Sequence, residues 1–247
     1  MDTLNVNTIE PEGGTTTINV GKAGKNVVIT DNLKANTLKD AGGNTIFTSD
    51  GSGNLSSVNS GFGSAQVLLS TQTANNSSGV EFTSGIDGTY KEYVFDFINI
   101  HTDELAGAMA FQVSTDGGSS YATTVTTTNF DAKHYEGDAV ASLQYNTAYD
   151  LAQSTGSVWF ANSTQNAADA GTSGELHIFN PASTTYVKNW YSVVNSLAYR
   201  GASAGYTRAS DQWFNAGYFN TTSAVNAIKI YPGASTFDGT IKLYGIK

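Results

Sequence analysis

The sequence predicts an all-β protein: an extended, β-rich N-terminal anchoring arm over residues 1–60, followed by a jelly-roll-like antiparallel β-sandwich head over residues 61–247. Three observations predict it. Short apolar runs with alternating polarity recur along the whole chain, and none is amphipathic at a helical period. Turn residues interrupt these runs at spacings near the ~8–12 residues of sandwiches and barrels. The aromatic residues are one-sided: of 12 Phe, 13 Tyr and 3 Trp, only Phe47 lies before residue 61. Aromatic side chains dominate most cores, so the core belongs to the head.

The arm offers Leu4–Val6, Thr17–Val20, Val27–Ile29 and Thr45–Phe47 as short strands. Gly13-Gly14, Lys22-Ala23-Gly24, Gly42-Gly43-Asn44 and Asp50-Gly51-Ser52-Gly53-Asn54 separate them as turns. Gly accepts positive φ there, and Asn and Asp bond their own backbone. Few large apolar side chains stand against the entropy of ordering about 60 residues at ~1–2 kcal/mol each. The arm is therefore expected to order only against copies of itself or within a larger assembly. The small-residue stretch 56–64 marks the boundary.

In the head, strands are expected at Gln66–Ser70, Val80–Phe82 and Tyr90–Ile100, the last largely period two. Met109–Ser114 and Tyr121–Thr128 flank Asp116-Gly117-Gly118 and read as a hairpin. Asp138–Leu151 is less regular. Ser157–Ala161, Gly174–Phe179, Tyr186–Val194, Ala216–Phe219, Ala227–Tyr231 and Thr240–Ile246 complete the strands. Leu197–Asp211 reads as a loop rich in Gly, Ala and Ser, and Ser223–Ile228 as at most one turn of helix.

Composition narrows function. Charged residues make up 13% of the chain, against roughly a quarter in ordinary soluble proteins. The net charge is −9, and the two Arg are Arg200 and Arg208. Phosphate binding needs clustered cations, so nucleic acid is not an expected partner. The same balance disfavours an anionic membrane surface. No apolar run nears the ~18 residues of a membrane helix. The chain has no Cys, which excludes disulfides and thiolate chemistry. Its start, Met1-Asp2-Thr3-Leu4-Asn5, lacks the basic and apolar regions of a signal peptide, so synthesis in a cytoplasm is expected.

Several stretches carry a family resemblance: Phe97–His101, Phe111–Gly118, Ser173–Pro181 and Gly239–Ile246 in the head, and Asn7–Pro11 and Asp50–Leu55 in the arm. They resemble virion fibre and spike proteins of tailed phages, especially marine and cyanobacterial ones. The resemblance implies a virion surface protein, assembled in the host cytoplasm and homo-oligomeric, most simply a trimer. Residues 1–60 would join it to another virion protein, and the head would bind host-surface glycan. A capsid-decorating or tail-joining structural protein without host binding is the alternative, and a polysaccharide-degrading spike is a third reading.

No catalytic signature stands out, and no cofactor or metal is expected. His101, His134 and His177 lack the i,i+2 or i,i+4 spacing of metal ligands. Asp50–Asn54 and Asp116–Ser120 offer clustered oxygens, but a full calcium loop with its terminal Glu is missing. Glu81, Glu92, Asp131, Glu136, Asp138 and Glu175 are the carboxylates from which a glycosidase pair would be drawn, and their separation would decide the matter. The expected mode of action is binding, without enzyme activity. Aromatic and Arg residues gather at Trp190, Tyr191, Tyr199, Arg200, Tyr206, Arg208, Trp213, Phe214, Tyr218 and Phe219. Loops on rigid scaffolds use this mixture for recognition. The ligand-binding candidates are Tyr199, Arg200, Tyr206, Arg208, Asp211 and Trp213; the same residue types also suit a subunit interface.

Overall fold

The computed structural model describes residues 35–58, 65–164, 166–199 and 208–247, and the described residues are all β-strand, turn and loop, with no helix. The chain divides into two compact units, Met1–Gly63 and Ser64–Lys247. Arm strands expected at residues 4–6, 17–20 and 27–29 lie outside the described residues.

In the first unit, β1 (Thr37–Lys39), β2 (Thr45–Ser49) and β3 (Leu55–Val58) form an antiparallel meander. Its two turns are copies of one device ten residues apart: Asp40-Ala41-Gly42-Gly43-Asn44 and Asp50-Gly51-Ser52-Gly53-Asn54. In each, the Asp Oδ1 accepts from the backbone amides two and four residues on, at 2.9 and 2.8 Å for Asp40 and 2.7 and 3.1 Å for Asp50. Each closing Asn amide donates to the other carboxylate oxygen, at 3.0 and 2.9 Å. These bonds hold both carboxyls below the usual range, the Asn side chain contributing most. Gly43 and Gly53 sit at φ 83° and 91°, where a side chain would strain the backbone. Both Asp50 carboxylate oxygens are thus engaged in turn closure.

The second unit contains β4 (Gln66–Ser77), β5 (Val80–Phe82), β6 (Glu92–Thr102), β7 (Gly107–Ser114), β8 (Val125–Tyr135), β9 (Ala141–Tyr145), β10 (Val158–Thr164), β11 (Thr172–Phe179), β12 (Lys188–Tyr199), β13 (Arg208–Phe219), β14 (Ala227–Pro232) and β15 (Phe237–Ile246). All pairings are antiparallel, in one large sheet that curls nearly closed into a barrel-like shape. One run has the order β4-β15-β6-β11-β12-β13-β8-β9, and the other β10-β7-β14-β5. They join where β10 meets β12 at a single pair, Thr164 with Ala198.

The two runs face each other across an aromatic core. Phe97 of β6 stacks on Phe160 of β10 at 4.6 Å, Phe111 of β7 meets Trp190 of β12 edge-on at 5.1 Å, and Phe82 of β5 meets Phe95 of β6 at 5.3 Å. Trp190 lies opposite Gly217. A Cβ at Gly217 would overlap the Thr126 carbonyl and stand 2.9 Å from the Trp190 ring, so the indole uses the space a side chain would take. Toward the β8–β13 end the inner face turns polar: Asn129, Asp131, Asp211 and Asn215 are all buried.

Three expectations need correction. The Asp116-Gly117 turn does not close a hairpin, because β7 pairs with β10 and β14 whereas β8 pairs with β9 and β13. The turn instead tucks in on itself, with Ser114 Oγ donating to Asp116 at 2.6 Å and Asp116 accepting from Ser120 N at 2.9 Å. The strand expected at Ala216–Phe219 is the end of the twelve-residue β13, so residues 197–199 and 208–211 of the expected loop are strand, and 200–207 lie outside the described residues. No helical turn forms at Ser223–Ile228.

Candidate functional site

Strands β12 and β13 pair along their whole length, from Lys188 with Phe219 to Tyr199 with Arg208. Alternation sends Trp190, Ser192, Val194 and Ser196 of β12 inward, together with Asp211, Trp213, Asn215 and Phe219 of β13; all are buried. The opposite stripe, Asn189, Tyr191, Val193 and Asn195 with Gln212, Phe214, Ala216 and Tyr218, lies on the outer face and is half-buried or exposed.

The predicted ligand residues therefore part company. Asp211 and Trp213 are inside, where the Trp213 indole donates to Asp211 Oδ2 at 3.0 Å and Tyr149 meets the Trp213 ring edge-on at 5.4 Å. Asn146 fastens the neighbouring buried groups, donating to Asn129 at 3.0 Å and to Asp131 at 2.6 Å, and Lys133 lies 3.2 Å from Asp131. Tyr199 and Arg208 stay together on the outer face. Arg208 grips Asp169 with two parallel bonds of 2.8 and 2.9 Å, which hold Asp169 below and Arg208 above their usual pKa ranges. Arg200 and Tyr206 lie outside the described residues.

What the outer face builds is an aromatic groove. The Phe214 ring stacks on Phe130 of β8 at 4.8 Å and 10°. The Tyr191 ring stacks on His177 of β11 at 4.5 Å and 11°. Strands β8 and β11 flank the β12–β13 pair on opposite sides. One face of each ring is thus covered by an outer neighbour, Tyr191 also meets Phe179 at 5.9 Å, and both rings line the space over the pair. Between them is a hollow of about 190 Å³ floored by Val193 and Ala216. Val193 also borders a hollow of about 360 Å³ lined by Glu175, Asn195 and Gln212. On the other side Ala216 borders one of about 300 Å³ lined by Thr126, Thr128, Asn189 and Tyr218. From Asn189 to Asn195 the groove runs about 20 Å at the usual rise per strand residue.

His177 fixes the Tyr191 side. Its Nδ1 is 2.6 Å from Glu92 and its Nε2 is 3.3 Å from Glu175. Burial, then Glu175 and Glu92, push the Tyr191 phenol up, so it remains a neutral donor. Asp96, in register with Glu175, is also raised, first by burial and then by the Glu175 charge.

The other sequence candidates have local occupations. His101 Nδ1 lies 3.1 Å from the Ala170 carbonyl, His134 pairs with Asp138 at 2.9 Å, and Lys229 approaches Glu81 at 3.8 Å. Among the described residues no group of three or more His, Cys, Asp or Glu is arranged to hold a metal ion. Tyr191, Phe214 and Tyr218 stood in the aromatic group read from the sequence but not among its ligand candidates. Both parities of β12 and β13 carry aromatics, so alternation alone did not single out the outer stripe. In comparisons with family models, curated proteins and solved structures, no match to the chain is found.

Proposed function

We propose that this chain is a virion surface protein of a tailed phage, a tail fibre or spike. Residues 1–60 anchor it to another virion protein. Residues 61–247 form a jelly-roll-like sandwich head that binds host-surface glycan. The observation that carries the binding role is the outer groove: two aromatic rings with uncovered faces, set in a rigid sheet between polar ends. Small-ligand sites share this pattern of apolar lining with a few placed polar groups. The two facing runs of strands around an aromatic core support the sandwich reading. The sequence resemblance supports the virion role.

The head acts by binding, without catalysis. Several heads joined through their arms in a homotrimer would raise avidity ~10²–10⁴-fold with no new contact. Purified full-length protein is expected to compete with particles for adsorption to host cells, and antibody to the head is expected to label the tail in electron micrographs. Label spread over the shell, with no competition, would instead establish capsid decoration. Release of reducing ends from host polysaccharide would establish a degrading spike.

A further inference from the structure

We infer that the hollow between Tyr191 and Phe214 seats one ring of an uncharged oligosaccharide, whose neighbouring units run along the β12–β13 groove. The inference rests on the glycan-binding part of the proposed function and adds the place and the chemical class of the ligand.

The middle of the groove is apolar and ring-walled. A pyranose presents a patch of C–H bonds on one face, and the π-face of an aromatic ring is electron-rich. Tyr191 and Phe214 each offer such a face, because His177 and Phe130 cover the opposite ones. Ala216 and Val193 keep the floor low between them. Hydroxyls at a sugar's rim need donors and acceptors. Asn195 and Gln212 supply them at one end, and Asn189 and Tyr218 at the other.

Charge selects the class. No Lys or Arg lines the three hollows. Glu175 lines one of them, Glu92 and Asp96 stand nearby, and Lys242, in register with Asp96, stands two strands beyond Glu175, outside the hollows. A uronate, sialate or sulfate entering here would lose water without gaining a cation, which is costly. Arg208, at the start of β13 on the same face, already holds Asp169 with both terminal guanidinium nitrogens. A second copy of the chain fits less well, because symmetric docking of this face on itself would bring the same acidic groups together.

The test is isothermal titration of the full-length protein with maltohexaose, chitohexaose and cellohexaose, against sialyllactose and oligogalacturonate as acidic comparators. At least one neutral sugar is expected to bind and the acidic ones not. Tyr191→Ala, and Ala216→Trp as a plug that leaves both rings in place, are each expected to weaken binding about tenfold or more, with melting temperature unchanged. Binding of an acidic sugar, lost in the same variants, would overturn the uncharged class and leave the glycan role standing. Neutral-sugar binding indifferent to the variants would overturn the location alone. Conversion of an oligomer to monomers by Tyr191→Ala, with no sugar bound, would show the face to be a self-interface and overturn the inference. Absence of all sugar binding from a protein that still blocks adsorption would overturn the inference and move the receptor outside glycans. Absence of both would bring down the proposed function as well.

Discussion

The three-stranded sheet of residues 37–58 and the large sheet of the head use the same turn chemistry and reach opposite results. Asp40 and Asp50 close their turns much as Asp116 closes its own, with a carboxylate accepting backbone amides. Yet none of residues 35–55 is buried, and Phe47 is only half-covered. In the head, Phe95, Phe97, Phe111 and Phe160 are fully buried. Turns set where a chain reverses; burial of large side chains decides whether the reversed strands hold as a fold of their own.

Substitutions can break or sharpen this contrast. The largest effect is expected from Phe160→Ala, which removes a ring packed against Phe97 and Phe111. It should cost about 3–5 kcal/mol in denaturant unfolding, whereas Phe47→Ala should leave the head's midpoint where it is. A comparable loss from both would mean that the arm shares the head's cooperative unit. Next comes Gly217→Ala, expected to cost about 1–3 kcal/mol because the new methyl meets the Thr126 carbonyl and the Trp190 ring. A neutral result would show that β13 can shift away from Trp190.

Asn146→Ala should cost about 1–3 kcal/mol by removing the amide that bonds the buried Asn129 and Asp131 side chains; thermal melts would measure it. Asp50→Ala removes the acceptor that closes the β2–β3 turn. It should speed proteolysis of the arm in the full-length chain and leave head cleavage unchanged.

The smallest effect is expected at Asp96, and its sign depends on pH. The folded head raises this carboxyl above its ordinary value of 3.8, so ionisation is penalised in the folded state. That penalty is absent below the ordinary value and grows as pH rises through the raised one. Asp96→Asn should therefore stabilise the head slightly at neutral pH, with the gain vanishing in acid. A gain that persists in acid would assign the effect to packing.

Much of the fold was legible because strand pairing leaves local marks. The alternation of Tyr93, Phe95 and Phe97 put those rings on one face, and Asp50-Gly51 and Asp116-Gly117 fell between strands, whereas Asp238-Gly239 lies inside β15. The ten-residue repetition of Asp40–Asn44 in Asp50–Asn54 is also legible, as a shared Asp-x-x-Gly-Asn pattern. The Asp116 turn misled because its composition suits a hairpin, while the choice of partner for β7 depends on contacts over a hundred residues away in β14.

By itself the sequence determined that this chain is built of strands, where most of them turn, and that large side chains concentrate after residue 60. Those properties depend on each residue's own conformational preference and on its near neighbours. Only the tertiary structure decided which face of β13 is inside. Trp213 and Phe214 are adjacent, as are Tyr218 and Phe219, so an aromatic stands on each side of the strand and period two fits either orientation. Packing of Trp213 and Phe219 into the interior resolved that degeneracy, and the same choice left Phe214 and Tyr218 to face the groove.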